Sequence, residues 1–243
     1  MISFNLGKKD KPEITFWSEF PGLEEVVPVE PAVKYLPSWW KAMPRFMDVP
    51  IPPEGVNKGT AKNCPAFVDF FKGAYVVPLW CDVELDVKSD GYTVRTSYNK
   101  FKFSHHNPLQ FKDHLPDNVK RNVAMVLKPD CPWRVRTSPG YSVMQLPMMF
   151  EFSDIFETMP GTIWSDKFHE MNQQMIIKKY GQITLTKGTP LAMYVPFKRE
   201  EFDFKCSERT PELEKLEEKS RLTILSKFIG GYKEMQAKER KDG

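Results

Sequence analysis

The residues best suited to chemistry lie between Trp133 and Asp166. In the stretch WRVRTSPGY, Arg134 and Arg136 occupy alternate positions, so in a strand both guanidinium groups project from one face. Each offers a rigid fork of N–H donors suited to a carboxylate or a phosphate. Ser138 adds a hydroxyl, and the Pro139-Gly140 turn lets backbone N–H groups point at an anion. Tyr141 follows the turn, and Trp164 and Asp166 of GTIWSD are expected beside it from the next hairpin. Arg134, Arg136, Ser138, Gly140, Tyr141, Trp164 and Asp166 thus form a candidate site for an anionic small molecule at the rim of a β-domain. Charge and geometry are present without a base, so binding is expected rather than turnover, and no catalytic residue or cofactor is assigned. The competing structural reading pairs the two arginines with Asp82, Glu84 or Asp86 of a neighbouring strand.

His105, His106 and His114 form a second polar group and raise metal chemistry, because imidazoles in a β-domain can hold zinc or iron. The His-x-Asp spacing of iron oxygenases is missing: His114 follows Asp113 directly, and His169 lies in another element. A polar surface loop is the better reading and no metal ligand is assigned, with a metal-dependent barrel enzyme kept as a third hypothesis. Cys64, Cys81, Cys131 and Cys206 stand 17, 50 and 75 positions apart, so no two share a zinc knuckle. Buried free thiols are expected. Gly-x-Ser-x-Gly, Walker, His-Glu-x-x-His and zinc-deaminase patterns are absent, which removes the common hydrolase, NTPase and protease routes.

These residues need a frame. From Val123 to Arg199, short runs such as NVAMVLK, WRVRTS, YSVMQLPMMF, GTIWSD and PLAMYVPFK follow one another with Gly and Pro between them, the pattern of a sandwich or barrel. Before them, Val83, Leu85 and Val87 alternate with Asp82, Glu84 and Asp86, and Ser-Asp-Gly turns the chain into Tyr92, Val94 and Thr96, a hairpin with one wet face. Asn99 to Arg121 reads as a long excursion between strands. Residues 12 to 65 carry nearly half of the 21 prolines, so an extended wrap is expected, with short turns over Pro31 to Leu36 and Ser38 to Ala42. Its aromatics, Phe16, Trp17, Phe20, Tyr35, Trp39, Trp40 and Phe46, are expected to pack on the barrel or a neighbouring subunit. Pro65 to Gly73 predicts a short helix with Pro at its start. After Thr210, Leu213, Leu216, Ile224, Leu225, Phe228 and Ile229 recur at helical spacing, predicting a capped amphipathic helix that ends near Gly230-Gly231.

Length and composition fit this frame. The 243 residues are enough for one large β-rich domain with appendages or for two small domains, and a hydrophobic content of 41% can fill such a core. A net charge of +3 from 35 basic and 32 acidic residues lacks the basic stripe of a nucleic-acid binder, so no nucleic-acid partner is expected. No export signal or uncharged apolar run of spanning length is read. The expectation is no membrane partner and a place in a reducing cytoplasm.

The order of signals after Val123 is similar to that of the dUTPase and dCTP deaminase superfamily. Arg136-Thr137-Ser138-Pro139-Gly140 resembles that family's phosphate loop, Pro160-Gly161-Thr162-Ile163 resembles the start of its Gly-x-Ile-Asp hairpin, and Lys187-Gly188-Thr189-Pro190-Leu191-Ala192 resembles its later Gly-Asp-Arg-Ile-Ala-Gln stretch. The resemblance covers about the third quarter of the chain and implies a trimeric β-clip barrel with nucleotide sites between subunits. The departures count against hydrolysis. Trp164 stands where the family's water-activating carboxylate would be, and Met193 replaces the later Gln; an indole cannot act as a base. The whole chain, including ITFWSEFP, VKYLPSWWKAMP and KNCPAFVDFFKGAYVVPLWCDVEL, also resembles a protein family of tailed bacteriophages, especially those of marine cyanobacteria, and of some bacteria. That implies a viral setting, the host cytoplasm or the virion, without a mechanism.

The resulting expectation is a mainly β protein with peripheral α, built as a β-clip or jelly-roll-like barrel over residues 65–199. A Pro-rich arm over 1–64 precedes it, and a linker with the C-terminal helix over 200–243 follows. The arm and the helix offer more apolar surface than one barrel need bury, so a homo-oligomer, a trimer first, is expected. The function expected is that of a phage-encoded, non-catalytic accessory or structural protein whose barrel serves binding or assembly. The alternative is a nucleotide-binding or nucleotide-processing relative of dUTPases.

Overall fold

A computed structural model of the chain describes residues 11–49 and 58–225. In chain order its elements are β1 (Ile14–Ser18), α1 (Leu23–Val26), β2 (Glu30–Pro31), α2 (Ser38–Ala42), α3 (Pro65–Lys72), β3 (Tyr75–Pro78), β4 (Val83–Val87), β5 (Tyr92–Thr96) and β6 (Phe103–His106). Then follow α4 (Asp117–Lys120), β7 (Met125–Pro129), β8 (Trp133–Thr137), β9 (Tyr141–Pro147), β10 (Phe156–Thr158), β11 (Gly161–Ile163), β12 (Met175–Ile177), β13 (Gly181–Leu185), β14 (Pro190–Lys198) and α5 (Pro211–Leu225). The protein is mainly β with few helices and a C-terminal helix, as the strand signals predict.

Among the described residues the expected barrel is not closed. The strands divide into four antiparallel sheets, with orders β1-β8, β10-β12-β7-β6, β11-β9-β14-β3-β2 and β13-β4-β5. Proline explains part of the division, since it has no N–H to donate and ends a ladder: β3, β7 and β9 stop at Pro78, Pro129 and Pro147, and β14 starts at Pro190. Pro196 lies inside β14 but opposite β9 only, beyond the reach of β3.

The chain forms two compact units, one of residues 1–42 with 70–199, the other of 43–69 with 200–243. All of the described strands belong to the first. Alternation sets its core: Val83, Leu85 and Val87 of β4 are buried, and register brings Leu85 opposite Ile183 of β13 and Val94 of β5. Val77, Leu127, Trp133, Val135, Val143, Met175, Ile177 and Tyr194 extend the same cluster. Burial of each large side chain there contributes about 1.5–3 kcal/mol.

Much of the proline-rich arm packs on its own sheets. β1 pairs with β8, β2 pairs with β3, the Phe16 ring lies 5.5 Å from Tyr75, Phe20 lies 4.9 Å from Phe101, and Trp40 is buried. The predicted turn over Pro31 to Leu36 is a 3-10 turn at Ala32–Tyr35, and the one at Ser38–Ala42 is α2. The excursion from Asn99 to Arg121 is less irregular than expected, because FSHH forms β6. It is an edge strand beside β7, where polar side chains can face outward.

In the second unit, Phe46 bridges Gly59, and Asn63 Nδ2 donates to the Arg45 carbonyl at 2.6 Å. α5 is capped by the Thr210 hydroxyl, which accepts from Leu213 N at 3.3 Å. Leu213 and Leu216 are exposed on it. Phe228, Ile229 and the expected stop at Gly230-Gly231 lie outside the described residues. Among the described residues no helix is long and apolar enough to cross a membrane.

Candidate functional site

β8 and the turn after it place the predicted site residues, and most of them are already engaged within the chain. On β8, Arg134 and Arg136 share the less buried face, opposite Trp17 and Thr15 of β1. Arg134 Nη2 pairs with Glu19 at 2.6 Å, and its Nη1 donates to the Cys131 and Trp133 carbonyls at 2.8 and 3.1 Å. The partner is thus a glutamate next to β1, because β1 and not the β4 hairpin lies beside β8; Asp82, Glu84 and Asp86 have no part in it. Arg136 is exposed, with no polar partner among the described residues. Ser138 ties down the N-terminal arm: its hydroxyl accepts from Glu13 N at 2.8 Å while its own N–H donates to the Glu13 carbonyl at 3.0 Å.

Gly140 adopts a left-handed φ of 81°, a conformation that glycine takes readily. Its N–H does point at an anion, but the anion is Asp166 of the same chain, at 2.9 Å. Trp164 and Asp166 lie on a turn that follows β11, since the N–H groups of Lys167 and Phe168 both donate to the Trp164 carbonyl at 2.8 Å. The Asp166 side chain is only 3% exposed. Arg199, just past β14, meets it with both Nη atoms and also donates to the Tyr141 carbonyl and the Ser142 hydroxyl, each at 2.8 Å. These hydrogen bonds from Arg199, reinforced by the Gly140 N–H, hold the Asp166 carboxyl well below the usual carboxylate range despite its desolvation. Arg199 also lies under the Trp164 indole, its guanidinium carbon 4.5 Å from the ring centroid. This clamp therefore closes the place where an external anion was expected. Arg199 was missed in the sequence because it stands alone after PLAMYVPFK, with no pattern to tie it to Asp166.

The histidines do not converge. His105 Nδ1 lies 3.1 Å from the Tyr92 hydroxyl, and His114 Nε2 lies 2.8 Å from the Leu109 carbonyl. The buried His106 Nε2 has no hydrogen-bond partner. Among the described residues no three His, Cys, Asp or Glu side chains are arranged to hold a metal. All four cysteines are free, but only Cys81 and Cys131 are buried, and burial pushes their thiols up to about 11 and about 12. Cys64 and Cys206 are exposed, whereas Cys81 and Cys131 sit in the short links from β3 to β4 and from β7 to β8 and belong to the core cluster.

An open groove of about 390 Å3 begins at the outer side of Trp164 and runs along β11. Its far wall is the extended segment Phe168 to Gln174, whose residues alternate: Met171, Gln173 and Met175 turn inward and are buried, while Phe168, Glu170, Asn172 and Gln174 line the groove. The floor is held by a buried network. The Tyr194 hydroxyl donates to Gln145 Oε1 at 2.8 Å, Gln173 Nε2 donates to that hydroxyl at 3.1 Å, and Gln145 Nε2 donates to the Met159 carbonyl at 2.9 Å. In the sequence, alternation in FHEMNQQM was the available signal, obscured because its outward residues mix one aromatic with polar groups.

A larger cleft of about 560 Å3 lies behind the loop between β9 and β10, which carries Phe150 and Phe152 at φ of 65° and 53°. Its lysine, Lys178, is held by Glu157 and the Ser153 carbonyl. No protein-family model, curated protein or solved structure matches the chain.

Proposed function

We propose that the chain is a non-catalytic binding or assembly protein, acting through the exposed aromatic and neutral polar surface of its sheet unit. The observation that carries this reading is the Asp166–Arg199 clamp. Asp166, the carboxylate two positions beyond the expected water-activating position, is saturated by Arg199 and Gly140, and Trp164 occupies that position itself. The resemblance to tailed-phage proteins supplies the setting, an accessory or structural protein of the host cytoplasm or of the virion. A homo-oligomer, with a trimer first, belongs to the same proposal. Much of the arm's apolar surface is used within its own unit, so its support comes from what is still exposed, Phe202 and Phe204 above all. The test incubates the purified protein with dUTP and dCTP and follows release of phosphate, pyrophosphate and ammonia. No turnover is expected, and turnover abolished by Asp166→Asn would overturn the reading. Light scattering and mass spectrometry of virions from a phage that encodes the chain test the assembly and the setting.

A second reading, nucleotide binding without turnover, is favoured by one observation: Arg136 is exposed and unpaired among the described residues. It requires that dUTP or dCTP raise the melting temperature of the parent but not of Arg136→Ala.

A further inference from the structure

The groove beside Trp164 is polar, aromatic and without a cation, and that combination selects a ligand class. Trp164 is 59% exposed although Arg199 covers one face of its indole. The guanidinium fixes the ring and leaves the opposite face outward. Phe168, 48% exposed, stands across the turn. Between and beyond them, the side chains of Thr162, Glu170, Asn172 and Gln174 have no hydrogen-bond partner among the described residues. Asn and Gln each offer two donors and an acceptor, and the carboxylate offers acceptors only.

An anionic ligand is disfavoured here. The lining has one carboxylate and no lysine or arginine, and the nearby Arg199 is engaged by Asp166. A purely apolar ligand would leave four polar side chains desolvated without partners, each a loss. What fits is a ring with an apolar C–H face to lie on an indole and hydroxyl groups at its edge to exchange hydrogen bonds with amides and a carboxylate. We propose that this groove binds a neutral pyranose, as a free sugar or as the terminal residue of a glycan. The proposal rests on the reading of the chain as a binding protein. The floor network of Tyr194, Gln145 and Gln173 contributes preorganisation, since it fixes both walls before a ligand arrives.

The experiment is saturation-transfer NMR and calorimetric titration of the full chain. The probes are glucose, galactose, mannose and N-acetylglucosamine, with a glycan array as a second arm and uridine and dUTP as comparisons. At least one neutral sugar should bind saturably. Trp164→Ala should weaken it by roughly tenfold or more, the scale of losing one stacking partner, while Trp164→Phe retains most of the affinity. Asn172→Ala, at an exposed position that leaves the fold intact, should weaken it severalfold at an unchanged melting temperature. Binding by glycans alone, lost in the same two variants, supports the proposal with a glycan as the source. Absence of saturable binding in both arms overturns it, as does binding that neither Trp164→Ala nor Asn172→Ala alters. Uridine bound in preference to every sugar also overturns the ligand class, yet leaves the chain a binding protein. That broader reading is overturned separately, by turnover of dUTP or dCTP that Asp166→Asn abolishes.

Discussion

The clamp around Asp166 and the groove along β11 share Trp164, yet they treat polar groups in opposite ways. In the clamp, Asp166, Arg199, Gly140 and Ser142 satisfy one another. In the groove, Glu170, Asn172 and Gln174 face outward with nothing among the described residues to bind. A dense set of charges within one turn is therefore the better device for fixing a loop, because each charge that finds an internal partner no longer has one to offer. A row of neutral amides on an extended strand is weaker as internal glue and is available to a ligand. The difference shows that the fold consumes several of the residues most conspicuous in the sequence, Arg134, Ser138 and Asp166 among them, and leaves Arg136 exposed.

The largest effect is expected in the buried network that holds the groove floor. Tyr194→Phe removes a fully buried hydroxyl that donates to Gln145 and accepts from Gln173. Both amide groups lose a partner inside the core, where Gln173 Oε1 already has none. The expected cost is about 1–3 kcal/mol in urea unfolding, with any groove ligand bound more weakly as well. An unchanged unfolding free energy would mean that the network does not hold the groove floor.

Next comes Asp166→Asn, which should lower stability while leaving the groove's side chains in place. The sign with pH is fixed by the depressed carboxyl. Its stabilisation is present in full above the ordinary carboxylate range, about pH 4, and is lost as pH falls below that toward the folded value. The stability gap between parent and variant should therefore be constant near neutral pH and narrow below about pH 4. Thermal unfolding across that range checks it, and a gap that widens on acidification would contradict the clamp.

How much was legible follows the same division. The hairpin of β4 and β5, the helix from Pro65 and the Thr210 cap are local features, and period, proline position and capping chemistry predict them directly. The division into four sheets depends on which strands meet. The pairing of β1 with β8 joins Thr15 to Arg136 across more than a hundred residues, and no local pattern encodes it. For the same reason the sequence placed Arg134 among anion ligands, when a glutamate of the N-terminal arm reaches it first. The Gly140 N–H does donate to Asp166, but only the distant Arg199, which meets both Asp166 and the Trp164 ring, decides that they form a clamp.

The smallest effect separates the two arginines that first suggested an anion site. Arg134 has its side chain 17% exposed and makes three hydrogen bonds within the chain, so Arg134→Ala should cost about 1 kcal/mol, the scale of one such interaction at a partly exposed site. Arg136, two residues further along the same face, has no polar partner among the described residues. Arg136→Ala should shift the unfolding free energy by no more than about 0.5 kcal/mol. The pair is informative because sequence and strand face are nearly the same, while only one guanidinium is engaged. If Arg136→Ala proves as costly as Arg134→Ala, Arg136 has a structural partner and the nucleotide-binding reading loses its one free cation on β8. If it is neutral for stability yet removes a melting-temperature increase caused by dUTP, the charged strand serves a ligand after all. Neutrality with no response to anions leaves recognition to the groove.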